Sequence, residues 1–219
     1  MNTFIRRLRK LKANSFTLVE LLVVISIIGV LAGLATPAMT KALDKGKQTT
    51  DVSNGRQLYT LLFAAANDDS DGGYYFFTTN AIGAANSTAA FNKWIEVGGF
   101  PYSRKVLAGT GVPVDKKTGT DAIAAQNLFW GCGVGLTTSD DATIPLIFSK
   151  GSHSKNMFKS NDITVDTSGP WKDKGVVIVN LGGGASFVAA GTGGAGKGAI
   201  RSGILTTNIP TNATAVNVE

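Results

Sequence analysis

The chain has 219 residues, is 43% hydrophobic and 16% charged, and carries a formal net charge of +6. That balance excludes an intrinsically disordered chain and leaves enough length to bury a core. One cysteine and one histidine exclude an intrachain disulfide framework, a cysteine-rich zinc site and most histidine-based catalytic constellations.

The charge is local. Arg6, Arg7, Arg9, Lys10 and Lys12 are five of the 21 basic residues, and no acid falls among the first fifteen positions. The rest of the chain sets sixteen basic side chains against fifteen acidic ones. A phosphate-binding surface needs its basic patch on the folded part, so this charge does not point to nucleic acid.

Between Lys12 and Lys41 the only ionisable side chain is Glu20. Leu21 to Thr40 are twenty uncharged residues, and as a helix they span roughly 30 Å, the thickness of the hydrocarbon core of a bilayer. The basic flank before them predicts an N-terminus in the cytoplasm and everything after Lys41 outside. A secretory signal is the competing reading, with Gly33-Leu34-Ala35 as a small-residue cleavage site and Thr36 as the new N-terminus. Arg6-Arg7 hints at a twin-arginine signal, but Leu8-Arg9-Lys10 stands where hydrophobic residues should follow. Glu20 fits neither, because a carboxylate beside an apolar helix is costly without a cationic partner. Gly29 and Gly33 have the spacing that lets membrane helices approach closely, and Pro37 predicts a kink or a locally melted turn.

The segment Ser15-Phe16-Thr17-Leu18-Val19-Glu20-Leu21-Leu22 resembles the processing site of type IV prepilins and of type II secretion pseudopilins. In that family a basic leader is removed just before a phenylalanine, which is then N-methylated; a glutamate stands four residues later and a proline twenty-one. Phe16, Glu20 and Pro37 occupy those places, while Ser15 stands where the family usually carries glycine. The resemblance covers roughly residues 6–66. It implies cleavage between Ser15 and Phe16 by prepilin peptidase, and a filament in which the new amine meets Glu20. Its implied partners are copies of the chain, other pilin-like subunits and an inner-membrane assembly platform with a separate ATPase.

Beyond Lys41 a stripe of Val52, Gly55, Tyr59, Leu62 and Ala66 recurs at steps of three and four, with Asp51, Asn54 and Arg56 off it. That predicts an amphipathic helix laid on a folded head. One interrupted helix is expected from about Phe16 to Ala66, ended by the turn residues Asn67 to Gly73. Strands are expected at Tyr74–Thr79, Trp94–Val97, Pro145–Ser149, Val176–Asn180 and Ser186–Ala190, the last two forming a hairpin. Long loops are expected at 80–93, 98–127 and 150–170. The fold class is therefore α+β: a long N-terminal hydrophobic helix whose C-terminal half packs on an antiparallel head. The expected organisation is a leader at 1–15, a membrane and filament-core half at 16–40, an amphipathic half at 41–66 and a head at 67–219.

Four constellations imitate active chemistry. Gly191 to Lys197 has the spacing of a phosphate-cradling loop, but Gly198 stands where Ser or Thr must ligate magnesium. Asn67, Asp69 and Asp71, followed by Gly72, make a weak calcium-loop candidate, because the twelfth position is Thr78 rather than a carboxylate. Cys132, between Gly131 and Gly133, reads as a tightly packed thiol rather than a nucleophile partnered by His153. Asp140 and Asp141 are adjacent in a polar loop and do not converge on a substrate. No catalytic role and no cofactor is expected. The expectation is a structural, prepilin-like subunit, and the alternative is a secreted or membrane-anchored binding or adhesion domain that uses residues 1–35 for export.

Overall fold

A computed structural model describes residues 16–68, 86–96, 103–151, 163–164, 169–190, 199–200, 209 and 214–216. The chain divides into two compact units between Lys45 and Gly46. Helix α1, Leu18–Asp68, contributes to both. It is uninterrupted, so the melted turn expected at Pro37 does not occur. Proline removes one amide donor, yet its fixed φ is itself helical, and the helix continues on both sides. The helix runs to Asp68, two residues past the expected end at Ala66, and Asp69 to Gly73 lie outside the described residues.

The second unit is α+β. Helix α2 spans Ser87–Glu96, and the strands are β1 Trp130–Val134, β2 Pro145–Ser149, β3 Ile163–Thr164, β4 Gly175–Asn180, β5 Ala185–Ala189, β6 Ala199–Ile200 and β7 Thr214–Val216. Five strands form one sheet in the order β5-β4-β2-β1-β7, with every neighbouring pair antiparallel. β3 and β6 form a separate antiparallel pair. Cys132 pairs with Ile147, and Ile147 pairs in turn with Val179, so these three share one sheet face.

The later part of α1 lies on that face. Its buried positions are Asp51, Gly55, Leu58, Leu62 and Ala66, while Val52 and Tyr59 flank them half-buried. A Cβ on Gly55 would stand 2.8 Å from Val179 Cγ2 and 3.0 Å from Trp130 Cη2, so glycine is what permits this close approach of helix to sheet. Tyr59 leans over the β4–β5 turn and donates its hydroxyl to the Leu181 carbonyl at 2.7 Å. Gly183 in that turn has φ +78°, and a Cβ there would meet Tyr59 Cε1 at 2.8 Å. Leu107, Leu128, Phe91, Trp94 and Ile95 complete the core from the other elements.

Three strand expectations fall on observed strands: β2 as read, and β4 and β5 within one residue. Tyr74–Thr79 lies outside the described residues. Trp94–Val97 was expected as a strand, but Trp94 to Glu96 end helix α2. Asn86 caps this helix by accepting the Ala89 amide at 2.9 Å, and Ala90, Phe91, Trp94 and Ile95 bury one helical face. Strand β1 is absent from the sequence expectations. Glycines flanking Cys132 disfavour a strand locally, and only pairing with β2 and β7 makes one.

The stretch expected as a loop at 98–127 is ordered from Ser103 onward around a buried cation. Arg104 pairs with Asp115 at 2.7 Å and also donates to the carbonyls of Gly119 and Asp121. Burial pulls the Asp115 carboxyl upward, but the Lys117 amide and the Arg104 guanidinium outweigh it and hold it below the usual range. Asp51, expected on the solvent side of α1, is buried instead. It accepts the Thr110 amide at 3.0 Å and the Trp171 indole N–H at 3.1 Å.

Candidate functional site

The candidate site is the first unit, the part of α1 up to Lys45 with Phe16 and Thr17 before it. Thr17 precedes the first helical residue, and Glu20 is the third residue within the helix. The Thr17 amide and hydroxyl both donate to Glu20 Oε2, at 2.9 and 2.8 Å, and the Glu20 amide donates back to Thr17 Oγ1 at 3.2 Å. This reciprocal capping box satisfies two helix-end amides that have no partner within the helix. The spacing Thr17-Leu18-Val19-Glu20 carries that signal in the sequence, beside the charge of Glu20 on which the sequence expectation rests.

From there the helix is apolar all round. Fifteen large hydrophobic side chains from Phe16 to Leu43 are exposed, with Phe16 at 72% and Leu18 at 85%. A helix apolar on every face needs a non-aqueous environment or partner helices around it. The few polar side chains are consistent with that demand. Ser26 donates to the Leu22 carbonyl at 2.7 Å, Thr36 to Ala32 at 2.7 Å and Thr40 to Thr36 at 3.1 Å, so each hydroxyl is satisfied by its own helix. Gly29 and Gly33 have open space where a Cβ would stand. They hold no place in the packing of the single chain.

Residues 10–36 match the family model described as the prokaryotic N-terminal methylation motif. This segment is a prepilin-type cleavage and methylation segment. The motif takes in Ser15, Phe16, Glu20, Gly29 and Gly33, and Pro37 falls one residue beyond it. No curated protein and no solved structure matches the chain. The methylation motif implies processing by prepilin peptidase and assembly with other pilin-like subunits, and with the long apolar helix it fits anchoring in the inner membrane before assembly. It points to a structural subunit rather than to a catalyst. Ser15 lies outside the described residues, as do Arg6 to Lys12.

The other candidates fall only partly within the described residues. Cys132 is fully buried in β1, and burial pushes its thiol well above the ordinary range, the opposite of an activated nucleophile. His153 lies outside the described residues, as do Gly191 to Gly198. Asn67 sits in the last turn of α1 and donates to the Phe63 carbonyl at 2.9 Å, while Asp69 and Asp71 lie outside the described residues. Asp140 accepts the Thr137 amide at 2.7 Å, and Asp141 accepts the Thr143 amide at 2.9 Å, so both shape turns. Among the described residues no three His, Cys, Asp or Glu side chains are placed to hold a metal ion.

Proposed function

We propose that the chain is a prepilin-like structural subunit of a type IV pilus or a type II secretion pseudopilus. In this reading prepilin peptidase cuts between Ser15 and Phe16, the Phe16 amine is methylated, and residues 16–40 pass from the membrane into a filament core. The observation that carries the reading is the apolar helix exposed on every face and joined to a methylation motif. Such a surface is stable only in lipid or against other helices, and a filament subunit needs each in turn.

Glu20 supplies the chemical logic of assembly. Uncut, the chain holds five cations before the helix, and they keep that end in the cytoplasm. Cutting removes them and leaves one cationic amine on Phe16. A carboxylate taken into an apolar filament core needs a counter-charge, and that amine, on the same or a neighbouring copy, provides it. Gly29, Gly33 and Pro37 then shape how closely neighbouring helices approach. The partners are copies of the chain, other pilin-like subunits, prepilin peptidase and a membrane assembly platform driven by its own ATPase.

The mass of the mature N-terminal peptide tests this. A peptide that starts at methylated Phe16 is expected. A mature chain that starts at Thr36 would be an exported binding or adhesion domain, without the helix and Glu20 that the filament requires, and the proposal would fall.

A further inference from the structure

The sheet of the second unit carries a backbone edge that the filament reading does not use. Among the described residues, β5 ends the sheet on one side. The Asn180 amide donates to the Gly184 carbonyl and the Ala190 amide to the Lys174 carbonyl, both at 2.9 Å. Carried along the register from Val179↔Ala185 to Gly175↔Ala189, that alternation turns the backbone groups of Ser186 and Val188 toward β4. The backbone groups of Ala185, Phe187 and Ala189 therefore point outward. Arg56 Nη2 donates to the Ala185 carbonyl at 3.2 Å. Among the described residues nothing bonds the outward amides and carbonyls of Phe187 and Ala189.

Edge strands are ordinarily shielded by charge, by proline or by a bulge. Ala185-Ser186-Phe187-Val188-Ala189 has no charge and no proline, and its pairing with β4 runs without a bulge. Ser186 and Ala189 are exposed, and Phe187 and Val188 are half-buried. Such a row of amides and carbonyls is matched by another extended backbone. The strand also suits its own copy. Alanines stand two places to either side of Phe187, so an antiparallel pair centred there sets Phe187 against Phe187 and Ala185 against Ala189, with no like charges opposed. Each outward residue then exchanges both of its backbone bonds with the residue opposite. The contact is isologous, because one strand serves both copies.

We infer that β5 pairs edge to edge with β5 of a second copy, antiparallel about Phe187. Standard interfaces use about 20–30 residues a side, so a single pairing of five-residue strands is transient. It gains strength where many copies are arrayed, as in the filament proposed above. The pairing itself needs only the folded second unit, so its failure and the failure of that reading are separate results.

Disulfide cross-linking of the full chain in detergent tests the pairing. Centred on Phe187, it sets Ser186 opposite Val188 of the second copy, at a separation a disulfide can span. The Ser186→Cys/Val188→Cys variant should give linked dimer on mild oxidation, while the exposed control Lys116→Cys gives little; the native Cys132 is buried. Position 189 falls beside Arg56 of the second copy, because Arg56 holds the Ala185 carbonyl. Adding Ala189→Lys to the cysteine pair should therefore lower the dimer yield roughly fivefold, and adding Ala189→Glu should raise it by a similar factor. Both changes keep the bonds to β4, and opposite shifts from one position do not arise from misfolding. A yield no higher than the control, or one indifferent to the charge at position 189, would overturn the pairing. Equal cross-linking in every variant would come from the apolar helices meeting in the micelle, and it would overturn the pairing too.

Discussion

Asp51 and Trp171 are 120 positions apart, and the indole N–H of Trp171 donates to the Asp51 carboxylate at 3.1 Å inside the protein. With the Thr110 amide on the second carboxylate oxygen, Asp51 ties α1 to two separate loops. The Trp171 ring also packs edge-on against Phe187 of β5, with centroids 5.1 Å apart. One side chain on the helix thus fixes segments that have little secondary structure of their own.

Replacing Asp51 with leucine leaves two buried donors without acceptors, at a cost of about 1–3 kcal/mol for each. Asp51→Asn keeps one acceptor and should lose less. Denaturant unfolding of the full chain in detergent, followed by tryptophan fluorescence, measures both. A leucine variant as stable as wild type would remove the structural role assigned to this carboxylate.

The two buried aspartates should act on stability with opposite pH dependence. Burial raises the Asp51 carboxyl above its ordinary value despite the hydrogen bonds it accepts. Its contribution is therefore full below the ordinary aspartate range and is lost as pH rises through the raised value. Asp115 is held low, so its contribution is present above the ordinary range and is lost as pH falls through the lowered value. Asp51→Asn should flatten the upper limb of a stability–pH profile, and Asp115→Asn the lower limb. Asp115→Asn should also cost about 3 kcal/mol near neutrality, because it leaves the buried Arg104 without its counter-charge.

Four glycines of α1 should respond to alanine in different ways. At Gly55 the new methyl meets Val179 and Trp130 at 3.0 Å or less, so Gly55→Ala should destabilise by about 1–3 kcal/mol through overpacking. Gly46 is open, and Gly46→Ala should stabilise by about 0.5–1 kcal/mol through helix propensity alone. Gly29 and Gly33 are equally open in the single chain, so alanine there should bring the same helix-propensity gain with no packing loss. Larger residues at Gly29 or Gly33 should reduce filament yield if those glycines pack against neighbouring copies, which electron microscopy of sheared filaments would record.

Thr17 and Glu20 allow charge to be separated from capping. Thr17→Val removes the side-chain half of the capping box but keeps the carboxylate, at a cost of about 1 kcal/mol of helix stability. Glu20→Ala removes the charge and the bonds its carboxylate accepts, while the backbone amide at position 20 can still donate to Thr17 Oγ1. The expectation is that processing survives each change, that Thr17→Val still forms filaments, and that Glu20→Ala does not. Normal filaments from Glu20→Ala would show that the counter-charge plays no part in assembly. Loss in both variants would assign the defect to the helix end rather than to the charge.

Much of this was legible in the residues because it depends on local pattern. The apolar run from Leu21 to Thr40, the basic flank, the spacing of Phe16 and Glu20, and strands rich in β-branched residues such as β4 all declare themselves over a few positions. The stripe on the later half of α1 was right at Gly55, Leu62 and Ala66 and one position off at Val52 and Tyr59. The buried set runs through Asp51 and Leu58, with Val52 and Tyr59 at its edge, and a carboxylate in core register looks like an error until its two donors are known.

The sequence by itself determined the membrane-compatible helix and its processing segment, since hydrophobicity over twenty residues and a spaced motif need no partner to exist. The tertiary structure decided what depends on distant residues. Gly-Cys-Gly became a central strand through its pairing with β2 and β7, Trp94 became part of a helix through the core it fills, and Asp51 and Arg104 became buried through acceptors and donors supplied from elsewhere. A glycine-flanked strand or a buried charge is unfavourable alone. Only long-range pairing makes either one stable, and that pairing is not visible in neighbouring letters.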